Sequence, residues 1–111
     1  MNEINYEGRA LIYTGALRVY GETNQLTVAL EELSEAQKEI CKALRGQVNL
    51  EHLAEEVADA TIMLEQVRLM FGINEMVCRY MDAKVRRLTD RMLKGLKWTE
   101  PSTKREEEEV P

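Results

Sequence analysis

Proline and glycine are scarce in this chain, with two prolines and six glycines among 111 residues. Because these residues most often interrupt helices, their scarcity leaves room for long helices. Cysteine is scarce as well, and the two present, Cys41 and Cys78, form neither a Cys-x-x-Cys motif nor the spacing of a zinc site. We therefore expect two buried or partly buried thiols rather than a redox or zinc-binding pair.

Long apolar runs are missing too, and no stretch approaches the roughly 20 apolar residues that a membrane-spanning helix needs. The first residues, Met1-Asn2-Glu3-Ile4, are too polar and acidic for a signal peptide. The formal net charge is −5, which argues against a general nucleic-acid-binding protein. We therefore expect a cytoplasmic location, with neither a membrane nor a nucleic-acid polymer as partner.

Histidine occurs once, as His52. Di-iron four-helix bundles use a Glu-x-x-His motif on each of two helices. The chain contains no Glu-x-x-His motif, so that class of metal site is largely excluded. We interpret His52 as a surface histidine of a first helical turn, although it precedes Glu56 by one turn and a supporting role beside a metal ligand is the alternative.

Apolar residues recur with helical periodicity in four segments, which predicts helices over residues 5–20, 25–44, 50–71 and 75–93. Asn5, Asn49 and Asn74 are the predicted N-caps of the first, third and fourth helices. Thr23 or Asn24 is predicted to cap the second helix, after a turn over residues 21–24. The architecture expected is an all-α four-helix bundle over residues 1–97, followed by a charged, disordered tail over 98–111. The third helix is apolar on more than one side, which in so small a domain indicates a subunit interface.

Two carboxylate pairs at i, i+3 spacing, Glu32/Glu35 and Glu56/Asp59, lie on the second and third predicted helices. This spacing puts both members of a pair on one helix face, with Cβ atoms roughly 5–6 Å apart. Packed helices have axes roughly 8–10 Å apart, so all four groups can converge on one point. Hard divalent cations such as Mg²⁺ take oxygen ligands of this kind. The alternative is a solvated acidic face, because glutamate is abundant in the chain.

The fourth predicted helix carries Tyr80, Lys84, Arg87 and Arg91 at i, i+4, i+7 and i+11. These positions share one side of a helix, which is aromatic at its start and basic afterwards. One interpretation is a surface that contacts phosphate groups. The other is a solvated edge whose basic side chains pair with Asp82 or Asp90.

The stretch from Tyr20 to Arg91 resembles the MazG-like all-α nucleotide pyrophosphohydrolases. Members of that superfamily carry an E-x-x-E motif, a short interval and an E-x-x-D motif, which Glu32-x-x-Glu35 and Glu56-x-x-Asp59 match. The resemblance implies that these four carboxylates hold Mg²⁺, with Mn²⁺ as the alternative. It also implies that water cleaves a nucleoside triphosphate between its α and β phosphates.

Further roles follow from the same resemblance. It implies that Lys84, Arg87 and Arg91 contact phosphates and that Tyr80 faces the base or ribose. The base is expected to be contacted by Tyr13, Tyr20 or Gln25. A carboxylate outside the ligand set is expected to orient the water, and the candidates are Glu31, Glu39 and Glu55. We expect a homodimer or homotetramer with a house-cleaning role in nucleotide pools. The alternatives are a non-catalytic helical protein that binds nucleotide or a protein partner, and a phosphoribosyl-ATP pyrophosphohydrolase.

Overall fold

Four α-helices make up the secondary structure of the described part of the chain. The structure is a computed structural model that describes residues 3–95, and these residues contain no β-strand. The helices are α1 (Tyr6–Tyr20), α2 (Glu22–Leu44), α3 (Leu50–Met70) and α4 (Asn74–Gly95). The all-α class is therefore confirmed, while the predicted tail over 98–111 lies outside the described residues. No helix in the described part of the chain is long and apolar enough to cross a membrane.

The chain divides into two compact units at the start of α4. Residues up to Asn74 form the first unit, in which α1, α2 and α3 pack against one another, and residues from Glu75 onward form the second. None of the described residues of α4 is buried. That the four helices form a single bundle over residues 1–97 stays a prediction.

A single residue, Gly21, joins α1 to α2. Its φ of 87° lies in the left-handed region that glycine adopts without steric cost, so the chain enters the second helix with no intervening loop. The predicted turn over 21–24 was therefore wrong, because α2 already begins at Glu22. Asn24 lies inside α2, and its side-chain amide donates a hydrogen bond of 2.7 Å to the Tyr20 carbonyl, which satisfies the end of α1.

Three further helix ends follow the sequence signals, whereas the predicted cap Asn74 is itself the first residue of α4. The side chains of Asn5 and Asn49 accept hydrogen bonds from the backbone N–H of Gly8 and His52, at 2.9 and 3.1 Å, and so cap α1 and α3. Gly46 has a φ of 73° just past α2, where the Gln47 N–H donates to the Lys42 carbonyl at 2.9 Å. This arrangement closes the helix and turns the chain towards α3.

The most extensive packing is between α2 and α3, which run antiparallel. Gln25, near the start of α2, donates a hydrogen bond of 2.8 Å to Gln66, near the end of α3, whereas Glu32 further along α2 meets Asp59 earlier on α3. Small buried side chains, Ala29 and Ala36 on α2 and Ala60 on α3, line the contact. Because alanine lets two helix backbones approach closely, polar side chains on the same faces are brought within reach of each other.

A polar cluster ties α1 to α3. Arg9 donates two hydrogen bonds to the carboxylate of Glu65, from Nε at 2.8 Å and from a terminal nitrogen at 3.0 Å, and the Tyr13 hydroxyl donates a third. These hydrogen bonds, with that from Arg9 the strongest, lower the pKa of Glu65. Burial, together with the neighbouring carboxylate, raises the pKa of Tyr13 to about 12. Charge-assisted bidentate pairs of this kind fix the relative position of two helices.

Candidate metal centre

One face of α2 points at α3. It consists of residues that alternate four and three positions apart, the spacing of a single helix face: Gln25, Ala29, Glu32, Ala36 and Glu39. Four of these residues are buried, and Glu32 is half-buried among them. Two carboxylates therefore lie on the face that packs against the neighbouring helix, where a merely solubilising glutamate would not be found.

The helix α3 completes a group of three carboxylates. Glu56 lies one turn before the buried Ala60 and is half-buried, and the adjacent Asp59 is exposed. Carboxylate oxygens of Glu32, Glu56 and Asp59 all lie within 4.8 Å of one another. The two predicted pairs are thus brought together across the helix–helix contact, through three of their four members.

One oxygen in this group has no partner. Oε2 of Glu56 is buried and accepts no hydrogen bond from any described residue. Leaving a charged oxygen buried and unsatisfied costs free energy, because water is lost and nothing replaces it. A cation bound between the three carboxylates would supply the missing partner.

The crowding of negative charges changes the pKa of Glu32 and of Glu56. Partial burial raises the pKa of Glu32, and the negative charges of Asp59, Glu56 and Glu35 raise it further. Burial also raises the pKa of Glu56, followed by the charges of Asp59, Glu35 and Glu39. Both shifts have the direction expected when carboxylates crowd together without a counter-ion.

Glu35, the fourth predicted ligand, is exposed and is not one of the three grouped carboxylates. Three residues after Glu32, it lies about 60° round the helix, at the edge of the face that meets α3. Its charge nevertheless contributes to the raised pKa of Glu32 and Glu56, so it lies within electrostatic reach of the group. Its role as a ligand stays a prediction.

The three candidates for orienting water differ in their surroundings. Glu39 is buried, with 5% of its surface exposed, and forms an ion pair of 3.1 Å with Lys42. Glu31 and Glu55 are exposed, each next in sequence to a member of the acidic group. The two exposed side chains are therefore open to water, and Glu39 is not.

The residues predicted to contact the base occupy different places. Gln25 and Tyr13 are buried, and the amide of Gln25 donates to Gln66. Gln25 also borders a cavity of about 480 Å³ whose other lining residues are Tyr20, Asn24, Thr27, Val28 and Glu31. Of the three candidates, Tyr20 and Gln25 thus border a space large enough for a planar ring, whereas Tyr13 is engaged with Glu65.

The predicted phosphate-binding residues lie on α4, in the second unit. Tyr80, Lys84, Arg87 and Arg91 are all exposed there. An ion pair between described residues of this helix joins Asp82 to Arg86, at 3.1 Å, and does not involve the predicted basic line. Their contact with substrate stays a prediction.

His52 and the two cysteines are all exposed. His52 is exposed in the first turn of α3, as the surface interpretation requires. Cys41 and Cys78 are both exposed, so the expectation of buried thiols was wrong. Cys41 lies off the face of α2 that packs against α3, and Cys78 lies on α4, none of whose described residues is buried.

Comparison with known proteins adds no further constraint on the site. No family model, no characterised protein and no solved structure matches this chain.

Proposed function

We propose that this protein is a Mg²⁺-dependent nucleoside triphosphate pyrophosphohydrolase that converts a ribo- or deoxyribonucleoside triphosphate to the monophosphate and pyrophosphate. The observation that carries the proposal is the group formed by Glu32, Glu56 and Asp59, with the unpartnered Oε2 of Glu56 buried inside it. The motif resemblance supplies the reaction, and the geometry supports a cation site where the motifs require one.

The residues present fit a small hard cation. Mg²⁺ binds oxygen at about 2.0–2.1 Å, so two oxygens bound to the same ion lie roughly 3–4 Å apart. The three carboxylates offer oxygens within 4.8 Å of one another, so small side-chain rotations would close them to that distance. Three carboxylates leave coordination positions for phosphate oxygens and water, as Mg²⁺ sites in nucleotide enzymes require. Mn²⁺ has the same ligand preferences and is the natural substitute.

The chain's own residues hold and position the reactants. When bound, the cation would polarise the phosphoryl oxygens and lower the pKa of water. Glu32, Glu56 and Asp59 would hold it, and Glu35 would add charge from the edge of the same face. Because Glu39 is buried and forms an ion pair with Lys42, we assign the orientation of the attacking water to Glu31 or Glu55. Lys84, Arg87 and Arg91 would neutralise the triphosphate, with Tyr80 against the base or ribose, since positioning and charge neutralisation dominate phosphoryl transfer.

Pyrophosphate release from a panel of canonical and modified triphosphates tests this function. The full chain should release pyrophosphate and monophosphate from at least one of them with Mg²⁺ or Mn²⁺, and not with EDTA. Phosphoribosyl-ATP belongs in the panel, because its cleavage on the same carboxylates would identify the related activity. Saturable nucleotide binding without any pyrophosphate would instead support a non-catalytic nucleotide-binding protein.

We also propose that the protein is a homodimer or homotetramer. Leu50, Val57, Leu64 and Phe71 recur every seven residues along and just beyond α3, and they are between 45% and 73% exposed. Leu33 and Ile40 on α2, also exposed, continue this apolar surface across the hairpin. Apolar residues at heptad spacing are the pattern by which one helix packs against another. A second copy of the same hairpin carries the matching pattern and is the partner we assign to it.

Light scattering should therefore give a mass at least twice the 12.8 kDa of one chain at micromolar concentration. Leu64→Lys places a charge in the middle of the exposed apolar surface and should shift the protein towards monomer, because an unpaired charge is costly to bury. Leu11→Lys makes the same change on α1, away from that surface, and should leave the mass unchanged. A wild-type monomer at these concentrations would contradict the proposal.

A further inference from the structure

A buried ion pair lies two turns from the acidic group on the same face of α2. Glu39 is 5% exposed, and its carboxylate contacts the ammonium of Lys42 at 3.1 Å, whose side chain is about a third exposed. Seven residues separate Glu39 from Glu32, which is roughly 10 Å along a helix. The pair is thus close enough to act on the acidic group through space, and it belongs to neither of the predicted motifs.

Burying a carboxylate is unfavourable, and an ion pair seldom repays the whole cost. Replacing a buried ion pair by apolar residues is often neutral or stabilising. Glu39 shares with Glu32 the face of α2 that packs against α3, so its negative charge lies on the same side of the helix as the acidic group. In surroundings of low polarity such a charge acts over longer distances than it would in water.

We propose that the Glu39–Lys42 pair sets the affinity of the acidic group for divalent cations. Glu39 adds a fixed negative charge that strengthens cation binding, and Lys42 partly cancels it. The inference rests on the proposed cation site of Glu32, Glu56 and Asp59, and it makes Glu39 and Lys42 residues that act on the cation through charge without contacting it. The chemical class of ligand concerned is a small divalent cation, Mg²⁺ or Mn²⁺.

The two residues should therefore have opposite effects. Glu39→Gln removes the negative charge but leaves Lys42, so cation affinity should fall. Lys42→Met removes the positive charge but leaves Glu39, so affinity should rise. A charge roughly 10 Å from a divalent ion in a medium of intermediate polarity, partly screened by salt, corresponds to a change of about three- to tenfold in each direction. A purely structural pair would instead weaken the site in both variants.

Isothermal titration of the full chain with MnCl₂ and with MgCl₂, without nucleotide, measures these affinities. The titrations are done at pH 8, well above the ordinary range of carboxyl groups. Lys42→Arg keeps the charge and should keep the wild-type affinity. Lys38→Met removes the same charge from an exposed position one turn earlier on α2 and should change affinity by less than about twofold.

Circular dichroism of each variant checks that it is folded. If Lys42→Met does not fold, the double variant Glu39→Gln/Lys42→Met replaces it, since it leaves no unpaired buried charge; its affinity should exceed that of Glu39→Gln alone. Opposite shifts in the two single variants, or that ranking of the double variant, support the inference. Unchanged affinities, or equal losses in both, overturn it and leave the cation site standing. A wild-type protein that binds no divalent cation overturns the cation site and this inference together.

Discussion

Asp59→Asn and Glu56→Gln should each reduce pyrophosphate release by about a hundredfold or more. Each change keeps the shape of the side chain but removes a charged oxygen from the group within which a cation must be held. Removing a residue that only supports a metal ligand already costs 10–100-fold, so loss of a ligand itself should cost at least the upper end of that range. The measurement is the initial rate at saturating Mg²⁺ with the best triphosphate of the panel.

Two further variants make this result specific. Glu51→Gln removes the same charge from an exposed position in the first turn of α3 and should retain wild-type activity. The activity of Glu35→Gln should lie between that of Glu51→Gln and that of the two ligand variants. The exposed Glu35 lies at the edge of the group and contributes mainly through its charge. Near wild-type rates in both Asp59→Asn and Glu56→Gln would show that the acidic group is not where the reaction occurs.

Glu32→Gln should make the cation-free protein equally stable or more stable at neutral pH, although it alters a half-buried side chain. Burial and the charges of Asp59, Glu56 and Glu35 raise the pKa of Glu32 above the ordinary value of 4.5 for a glutamate. The folded state therefore holds this proton more tightly than the unfolded state does, and stability falls as pH rises from about 4.5 through the raised pKa. At neutral pH the repulsion is fully present in the wild-type protein and partly relieved in the variant.

The same variant should lose most of the stabilisation by Mg²⁺. A ligand that binds only the folded state stabilises it by about 2.7 kcal/mol at a hundredfold excess over its Kd. For a domain of this size that corresponds to a rise of roughly 10–20 °C in melting temperature. Glu32→Gln should show only a small part of this rise, because one of the three grouped carboxylates has lost its charge.

Thermal melts of wild type, Glu32→Gln and Glu51→Gln, each with and without MgCl₂, measure both effects. Sodium chloride at equal ionic strength separates specific binding from screening of a solvated acidic face. The Glu51→Gln control should keep the full Mg²⁺-induced rise. Equal Mg²⁺-induced rises in all three proteins, or a rise that sodium chloride reproduces, would contradict a cation site at Glu32.

Local sequence signals determined most of the helix boundaries. Asn5 and Asn49 cap their helices as predicted, because the hydrogen bond that a backbone N–H donates to an asparagine side chain three residues earlier depends only on neighbouring residues. The start of α2 was predicted in the wrong place, because residue type alone does not show where the chain bends. Thr23 and Asn24 are favourable N-caps by residue type, but Gly21 alone makes the bend and leaves both of them inside the helix.

The candidate site, too, was predictable from the sequence only in part. The i, i+3 spacing placed Glu32 with Glu35, and Glu56 with Asp59, on one side of their helices, because the angle between positions is a property of a single helix. Which of the four motif carboxylates meet was decided only when α2 and α3 packed. The rotation of each helix about its own axis brings Glu32 to Glu56 and Asp59 and leaves Glu35 at the edge.

Contacts between residues far apart in the sequence were beyond any local pattern. The bond between Gln25 and Gln66, and the pairing of Glu65 with Arg9 and Tyr13, join residues more than forty positions apart or on helices that are not consecutive. The sequence by itself determined that this protein is built of helices and that the two members of each carboxylate pair lie on one side of a helix. The tertiary structure alone decided which faces meet, because that choice depends on how the side chains of separate helices fit together.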